Sequence, residues 1–279
     1  MKTNYWQRVM CALAASAALI GGPGAALAAD ADSDGIDDSA ESTGAGITFG
    51  GTNYPPCSGT PLPGAARNAC VSPTTKDIFV YLVTKSGGGF LQQNGLIAPE
   101  VLFQFITAAS TATPKGLGVG VHVSRVDTAV SSTSRGVGTL GQKAVQIIAD
   151  EFPDSLVFGQ ADQGTPSATG NATVYPVTIK NWVVTRGGTD AVWKKFIQRT
   201  FSHELSHIAA LTALYDSRFG GNHYATGSGV VMDQSVVYNS KTKTFTIYDK
   251  YAAGDNPCLL MVNTLNPVQC IGFALPVIP

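Results

Sequence analysis

Charge is scarce in this chain. Only 13% of its 279 residues are Asp, Glu, Lys or Arg, which excludes a coiled coil and a charge-rich disordered protein. A basic excess is missing as well. The chain has 18 Lys and Arg against 19 Asp and Glu, so nothing in the charge points to nucleic acid. Cysteines number 5 and histidines 4, and no Cys-x-x-Cys spacing offers a thiolate zinc site. No glutamate follows Glu204. What is abundant is small or apolar: 44% hydrophobic residues, 31 glycines and 15 prolines. This composition predicts a loop-rich globular chain of one large domain, or one domain plus a short appendage. A chain of this length buries enough apolar surface to need no metal merely to fold.

The N-terminus reads as a secretory signal over residues 1–29. Lys2 and Arg8 form its positive end, Val9 to Ile20 its apolar stretch, and Ala26-Leu27-Ala28 a small-x-small cleavage site. The apolar stretch is too short to span a bilayer, and Gly21, Gly22 and Pro23 would break an anchor helix. No later run is long enough to span, so no integral membrane segment is expected after the signal is removed. The expected location is the periplasm or the extracellular space. The exported form keeps 16 basic and 19 acidic side chains. Cys11 leaves with the signal, and Cys57, Cys70, Cys258 and Cys270 remain. In an oxidising compartment this even count reads as disulfides, most simply Cys57–Cys70 and Cys258–Cys270 among three connectivities.

Residues 30–41 read Asp-Ala-Asp-Ser-Asp-Gly-Ile-Asp-Asp-Ser-Ala-Glu. Asp30, Asp32, Asp34, Asp38 and Glu41 occupy loop positions 1, 3, 5, 9 and 12, with Gly35 at position 6, which is calcium-loop spacing. The other reading is a solvated acidic tail. No helix pair is expected around the loop, so it is not a regulatory EF-hand. Residues 42–75, rich in Gly, Pro, Ser and Thr, read as a disulfide-tied linker, and residues 76–279 as the main domain. Within it, Asp77 to Val83 and Leu117 to Val126 read as strands and Pro99 to Ala109 as a helix. Gly141 to Phe152 reads as a second helix, and residues 155–186 as strands with a loop excursion. Asp190 is expected to cap a long helix burying Trp193, Phe196, Ile197, Phe201, Leu205 and Ile208. From Val236 onward the chain reads as a hairpin and loops. The class is α+β, a twisted mixed sheet with a backing helix.

The chemistry lies in His203-Glu204-Leu205-Ser206-His207. Histidines at i and i+4 on a helix present their rings one turn apart, as gripping one zinc ion requires. The glutamate between them then stands beside the open metal position, ready to take a proton from bound water. The third ligand is open among His223, Asp216 and Asp233. His223 leads, because Gly220 and Gly221 let the chain end the helix and turn back. His122, in an apolar strand, reads as structural. Ser206 faces away from Glu204 and is no nucleophile.

Downstream, Gly227-Ser-Gly-Val-Val-Met-Asp233 looks like the Met-turn of the metzincin metallopeptidases. His203, Glu204, His207, His223 and Met232 match that clan's motif, and residues 30–41 resemble a single thrombospondin type 3-like calcium repeat. The clan usually has a glycine three residues after the second histidine and the third histidine six after it; here these are Ala210 and Ala213, so the third ligand follows an insertion. The resemblance implies a zinc-dependent endopeptidase with Glu204 as general base and Met232 below the metal. It would be monomeric and act on a protein or peptide substrate, with Tyr238 a candidate to stabilise the oxyanion. Cofactors would be zinc and, from the acidic repeat, calcium. The rival reading is an exported calcium- and zinc-binding surface protein whose metal site is structural, the fourth zinc position being filled by a side chain such as Asp216. A further rival, an enzyme kept latent by a Cys57 or Cys70 thiolate on zinc, is disfavoured by the even cysteine count.

Overall fold

The computed structural model describes residues 30–32, 34–59, 63–109, 111–113, 116–138, 142–151, 157–161, 170–208, 228–233 and 236–251. The signal-like segment 1–29, His223, Asp216 and the Cys258–Cys270 pair lie outside the described residues.

The first elements among the described residues are a short helix α1 (Asp38–Ser42) and a hairpin of β1 (Ile47–Phe49) and β2 (Thr52–Tyr54). A one-turn helix α2 (Ala65–Asn68) follows, and the Cys57–Cys70 disulfide closes this region. The segment 42–75 is therefore more than a linker. Ile47, Phe49, Tyr54 and Val71 are buried with Ile36 and Phe79 in a core of their own.

The main sheet starts at β3 (Asp77–Val83) and continues with β4 (Gly120–Val126). After the small hairpin β5 (Gly136–Val137) and β6 (Gln142–Lys143) come β7 (Val145–Ala149), β8 (Gly159–Ala161) and β9 (Asn171–Val174). The five-stranded sheet runs β4-β3-β7-β9-β8. The first four strands are parallel, and β8 at the edge is antiparallel to β9. β3 is almost continuously apolar because a central parallel strand is covered on both faces. Its side chains alternate accordingly. Ile78, Val80 and Leu82 join the large core, whereas Phe79, with Tyr81 beside it, faces the N-terminal segment.

The large core is completed by α3 (Ser86–Gln93), α4 (Pro99–Leu102), α5 (Gln104–Thr107), α6 (Pro176–Val184) and α7 (Asp190–Ile208). The helix expected from Pro99 is split at Phe103 into α4 and α5. The helix expected over 141–152 is not formed; β6 and β7 stand there. Val145, Ile147 and Ile148 are β-branched, and β7 is hydrogen-bonded between β3 and β9, so sheet pairing overrides a helix-like spacing. Conversely, part of the expected strand region 155–186 is helix α6, opened by Pro176 at its first turn. The expected C-terminal hairpin is present as β10 (Val237–Asn239) and β11 (Thr244–Thr246). The fold is mixed, with several helices against one five-stranded mixed sheet, which agrees with an α+β class. Among the described residues no helix is long and apolar enough to cross a membrane.

Candidate active site

Helix α7 carries the site. Its buried face holds Trp193, Phe196, Ile197, Phe201, Leu205 and Ile208, as the apolar spacing predicts. Asp190 is the first helical residue, and its Oδ1 accepts the Trp193 indole N–H at 2.9 Å. One side of the last two turns is different in kind. His203 and His207 bring their Nε2 atoms to 3.0 Å, with rings 88° apart. His203 Nδ1 lies 2.8 Å from the Val231 carbonyl oxygen. A ring N–H donated there leaves the Nε2 lone pair directed at its partner histidine. Two Nε2 atoms on a tetrahedral zinc, each at about 2.0–2.1 Å, stand about 3.3 Å apart. The donor pair therefore fits such an ion with little adjustment.

Glu204 lies between them on the helix and is 5% exposed. Burial raises its carboxyl to about 8, against the opposing attraction of Arg199. The edge strand β8 passes directly over it. A Cβ placed on Gly159 would lie 2.5 Å from Glu204 Oε1 and 2.8 Å from Thr200 Cγ2. Only a glycine lets the strand approach the carboxylate this closely.

The Met232 segment is tied to the same helix. Gly229 turns the chain at φ 79°, and Met232 is buried in the large core. The two carbonyls flanking Met232 both accept from α7: Val231 from His203, and Asp233 from Arg199 Nη2. Arg199 sits one turn before His203 on the buried side, so successive turns of the helix grip successive points of the loop. Sequence reasoning missed Arg199. Its signal was an arginine within the apolar stripe of a helix, where charge is rare unless it is paired.

Among the described residues, no third His, Cys, Asp or Glu groups with His203 and His207. Asp233, one of the candidate third ligands, is buried, and its Oδ2 accepts the Ser228 hydroxyl at 3.1 Å. Tyr238 is on β10, where its hydroxyl donates to the Arg186 carbonyl at 3.4 Å and its ring contacts Trp182 and Phe245. Ser206 donates to the Ser202 carbonyl at 2.7 Å and pairs with the Tyr251 hydroxyl at 2.6 Å. His122 is buried on β4 with Nε2 2.5 Å from Asp77 Oδ1 and Nδ1 3.1 Å from the Asn68 carbonyl.

The acidic loop folds back on itself around Gly35, at φ 88°. Asp30 accepts the N–H groups of Asp34 and Gly35 at 3.1 and 2.9 Å. Carboxylate oxygens of Asp30, Asp32 and Asp34 gather within metal-ligand reach, and so do those of Asp34, Glu41 and Asp77. Asp38 stands outside both groups, accepting the Ala31 N–H at 2.9 Å. Asp77, on β3, is a member that the loop spacing alone did not reveal.

No protein-family model matches this sequence, and no curated protein matches it.

Proposed function

We propose that this chain is an exported, metzincin-like, zinc-dependent endopeptidase that acts as a monomer on protein or peptide substrates in the periplasm or outside the cell. The observation that carries the reading is the convergence of His203 Nε2 and His207 Nε2 at 3.0 Å, with the buried Glu204 between them. Zinc held by His203, His207 and His223 would polarise the scissile carbonyl and lower the pKa of water. Glu204 takes the proton of the attacking water as its oxygen adds to the carbonyl carbon. It returns that proton to the amide nitrogen as the C–N bond breaks. The His203 Nδ1 contact with Val231 holds the imidazole in one orientation, and Arg199 holds the loop that carries Val231 and Met232. Among the described residues β8 is the last strand of the sheet, beside Glu204, and its outer side suits an extended peptide added as a further strand.

Hydrolysis of an unstructured protein by the mature chain tests the proposal, run beside Glu204→Ala and with a chelator. Activity lost in both, and restored to the chelated wild type by zinc, is the expected result. A folded, zinc-loaded wild type without activity on any unstructured substrate would favour a structural metal site instead.

A further inference from the structure

The acidic loop is docked on the domain by hydrogen bonds and by one buried apolar side chain. Asp34 Oδ2 accepts the main-chain N–H of Asp77 at 2.7 Å. The Gln142 side chain donates to the Asp77 carbonyl at 2.9 Å and also to the Asp34 carbonyl. The Lys76 ammonium donates to the Asp32 carbonyl. Ile36, two residues after Asp34, is fully buried beside Phe79. The loop therefore closes the second face of the sheet at the start of β3.

This packing leaves carboxylates in an untenable state by themselves. Glu41 is 0% exposed, and neither of its carboxylate oxygens has a hydrogen-bond partner. The same holds for both buried carboxylate oxygens of Asp32. A buried carboxylate without donors costs far more than ordinary packing returns, unless it is neutralised or bound to a cation. Burial, followed by neighbouring carboxylates, pushes Glu41 up to about 9; burial likewise carries Asp32 to about 7 in spite of Lys76. Asp77 is different. Burial would raise it, but His122 and Arg67, the latter 2.7 Å away, hold it below the usual carboxylate range. Its carboxylate accepts from Arg67, His122 and the Ser72 N–H, which leaves lone-pair capacity on the side of Glu41 and Asp34.

We propose that a calcium ion binds between the acidic loop and the central strand, held by Asp34 and Glu41 with Asp77 of β3, and supported by Asp30 and Asp32. The donor set is oxygen alone, which selects a hard cation, and the ligands come from a loop, a helix and a strand, which suits the irregular coordination of calcium. The unpartnered Glu41 and Asp32 oxygens then have a ligand. The site is a clasp: the ion joins the N-terminal segment to the strand that leads into the sheet, so cation binding and docking of residues 30–42 are one event. Asp77 carries this coupling, because its other contacts, to Arg67 of α2 and His122 of β4, lie outside the acidic loop.

The test is thermal unfolding of the metal-stripped mature chain as calcium chloride is added, with and without zinc. Because unfolding is the readout, the result stands apart from the peptidase reading. Calcium at a hundredfold over its Kd is expected to raise the unfolding temperature by about 5–10 °C. Glu41→Gln keeps the side chain's shape and removes the carboxyl group whose ionisation burial opposes. Without calcium this variant is expected to unfold above the wild type, and its calcium affinity should fall by about tenfold or more. A merely structural Glu41 would give the opposite sign, a less stable variant with an unchanged calcium response. Asp77→Asn is expected to weaken calcium by a similar factor. Where that variant does not fold, amide exchange of the wild type replaces it, and calcium must then protect residues 34–42 and 72–78 together. Absence of a calcium-dependent shift, a shift equal in Glu41→Gln, or protection confined to residues 30–42 would overturn the proposal.

Discussion

Gly159 and Glu204 are in contact across two elements far apart in the chain: a Cβ on the edge strand would come within 2.5 Å of the glutamate's Oε1. The strand that ends the sheet thus roofs the carboxylate expected to move the proton. Gly159 is not among the glycines with positive φ, so alanine is allowed by the backbone and excluded only by what lies beneath it. That makes the contact open to a clean test.

Gly159→Ala should push the Glu204 carboxylate aside, since Thr200 Cγ2 at 2.8 Å blocks the other way out. A displacement near 1 Å at a reacting group costs about a hundredfold in rate. We expect kcat on a peptide substrate to fall by about that factor, with zinc content unchanged. Equal kcat in variant and wild type would remove Gly159 from the site.

Glu204→Gln should reduce turnover by about 10²–10⁴ while zinc stays bound, because the histidine pair is untouched. Glu204 is almost fully buried, so replacing its carboxyl with an amide removes a group whose ionisation burial opposes. The unfolding temperature should therefore equal or exceed that of the wild type. Metal analysis beside calorimetry checks both halves.

Arg199→Met should act at a distance. It leaves the carbonyl of Asp233 without its helix donor, and an orphaned buried carbonyl costs about 1–3 kcal/mol. Loosening this loop also frees the Val231 carbonyl that orients His203. Zinc affinity, measured by competition with a chelator, should fall about tenfold or more, as expected when a ligand loses its outer support. A stability loss with unchanged zinc affinity would make Arg199 a packing residue only.

Reducing the Cys57–Cys70 disulfide should cost about 3 kcal/mol, the value expected for a loop of this size; the two residues are 13 apart in sequence. The bridge closes the region next to the main-chain hydrogen bonds between Cys57 and Val71 and between Val71 and Pro55. Activity well below the unfolding temperature should persist in the double Cys→Ala variant. Thermal scans of both forms give the comparison.

Much of the site was legible because it is local. His203, Glu204 and His207 share one helix, and the pitch of a helix places residues four apart on one face whatever surrounds them. The strand at Asp77–Val83 was equally plain, since seven nearly all apolar residues suit a strand covered on both sides. Val145–Ala149 was not. Its residues suit a buried helix or a buried strand, and only the neighbours β3 and β9 decide between them. Helix α6, which begins at Pro176, lies in a region whose composition reads as strand and loop, so only the folded chain reveals it.

The acidic loop shows where local pattern stops. Spacing alone named Asp30, Asp32, Asp34, Asp38 and Glu41. The folded chain groups the first three, turns Asp38 to the Ala31 N–H, and draws in Asp77 from the sheet, 43 positions beyond Asp34. Likewise Gly159 over Glu204, and Arg199 against Asp233, join segments whose separation carries no periodic signal. By itself the sequence determined which residue types stand together on one helix turn or in one loop, because bond geometry sets those distances. Tertiary structure alone decided which segments meet, because only burial of the two faces of the sheet brings the strand edge, the Met232 loop and the acidic loop to their places.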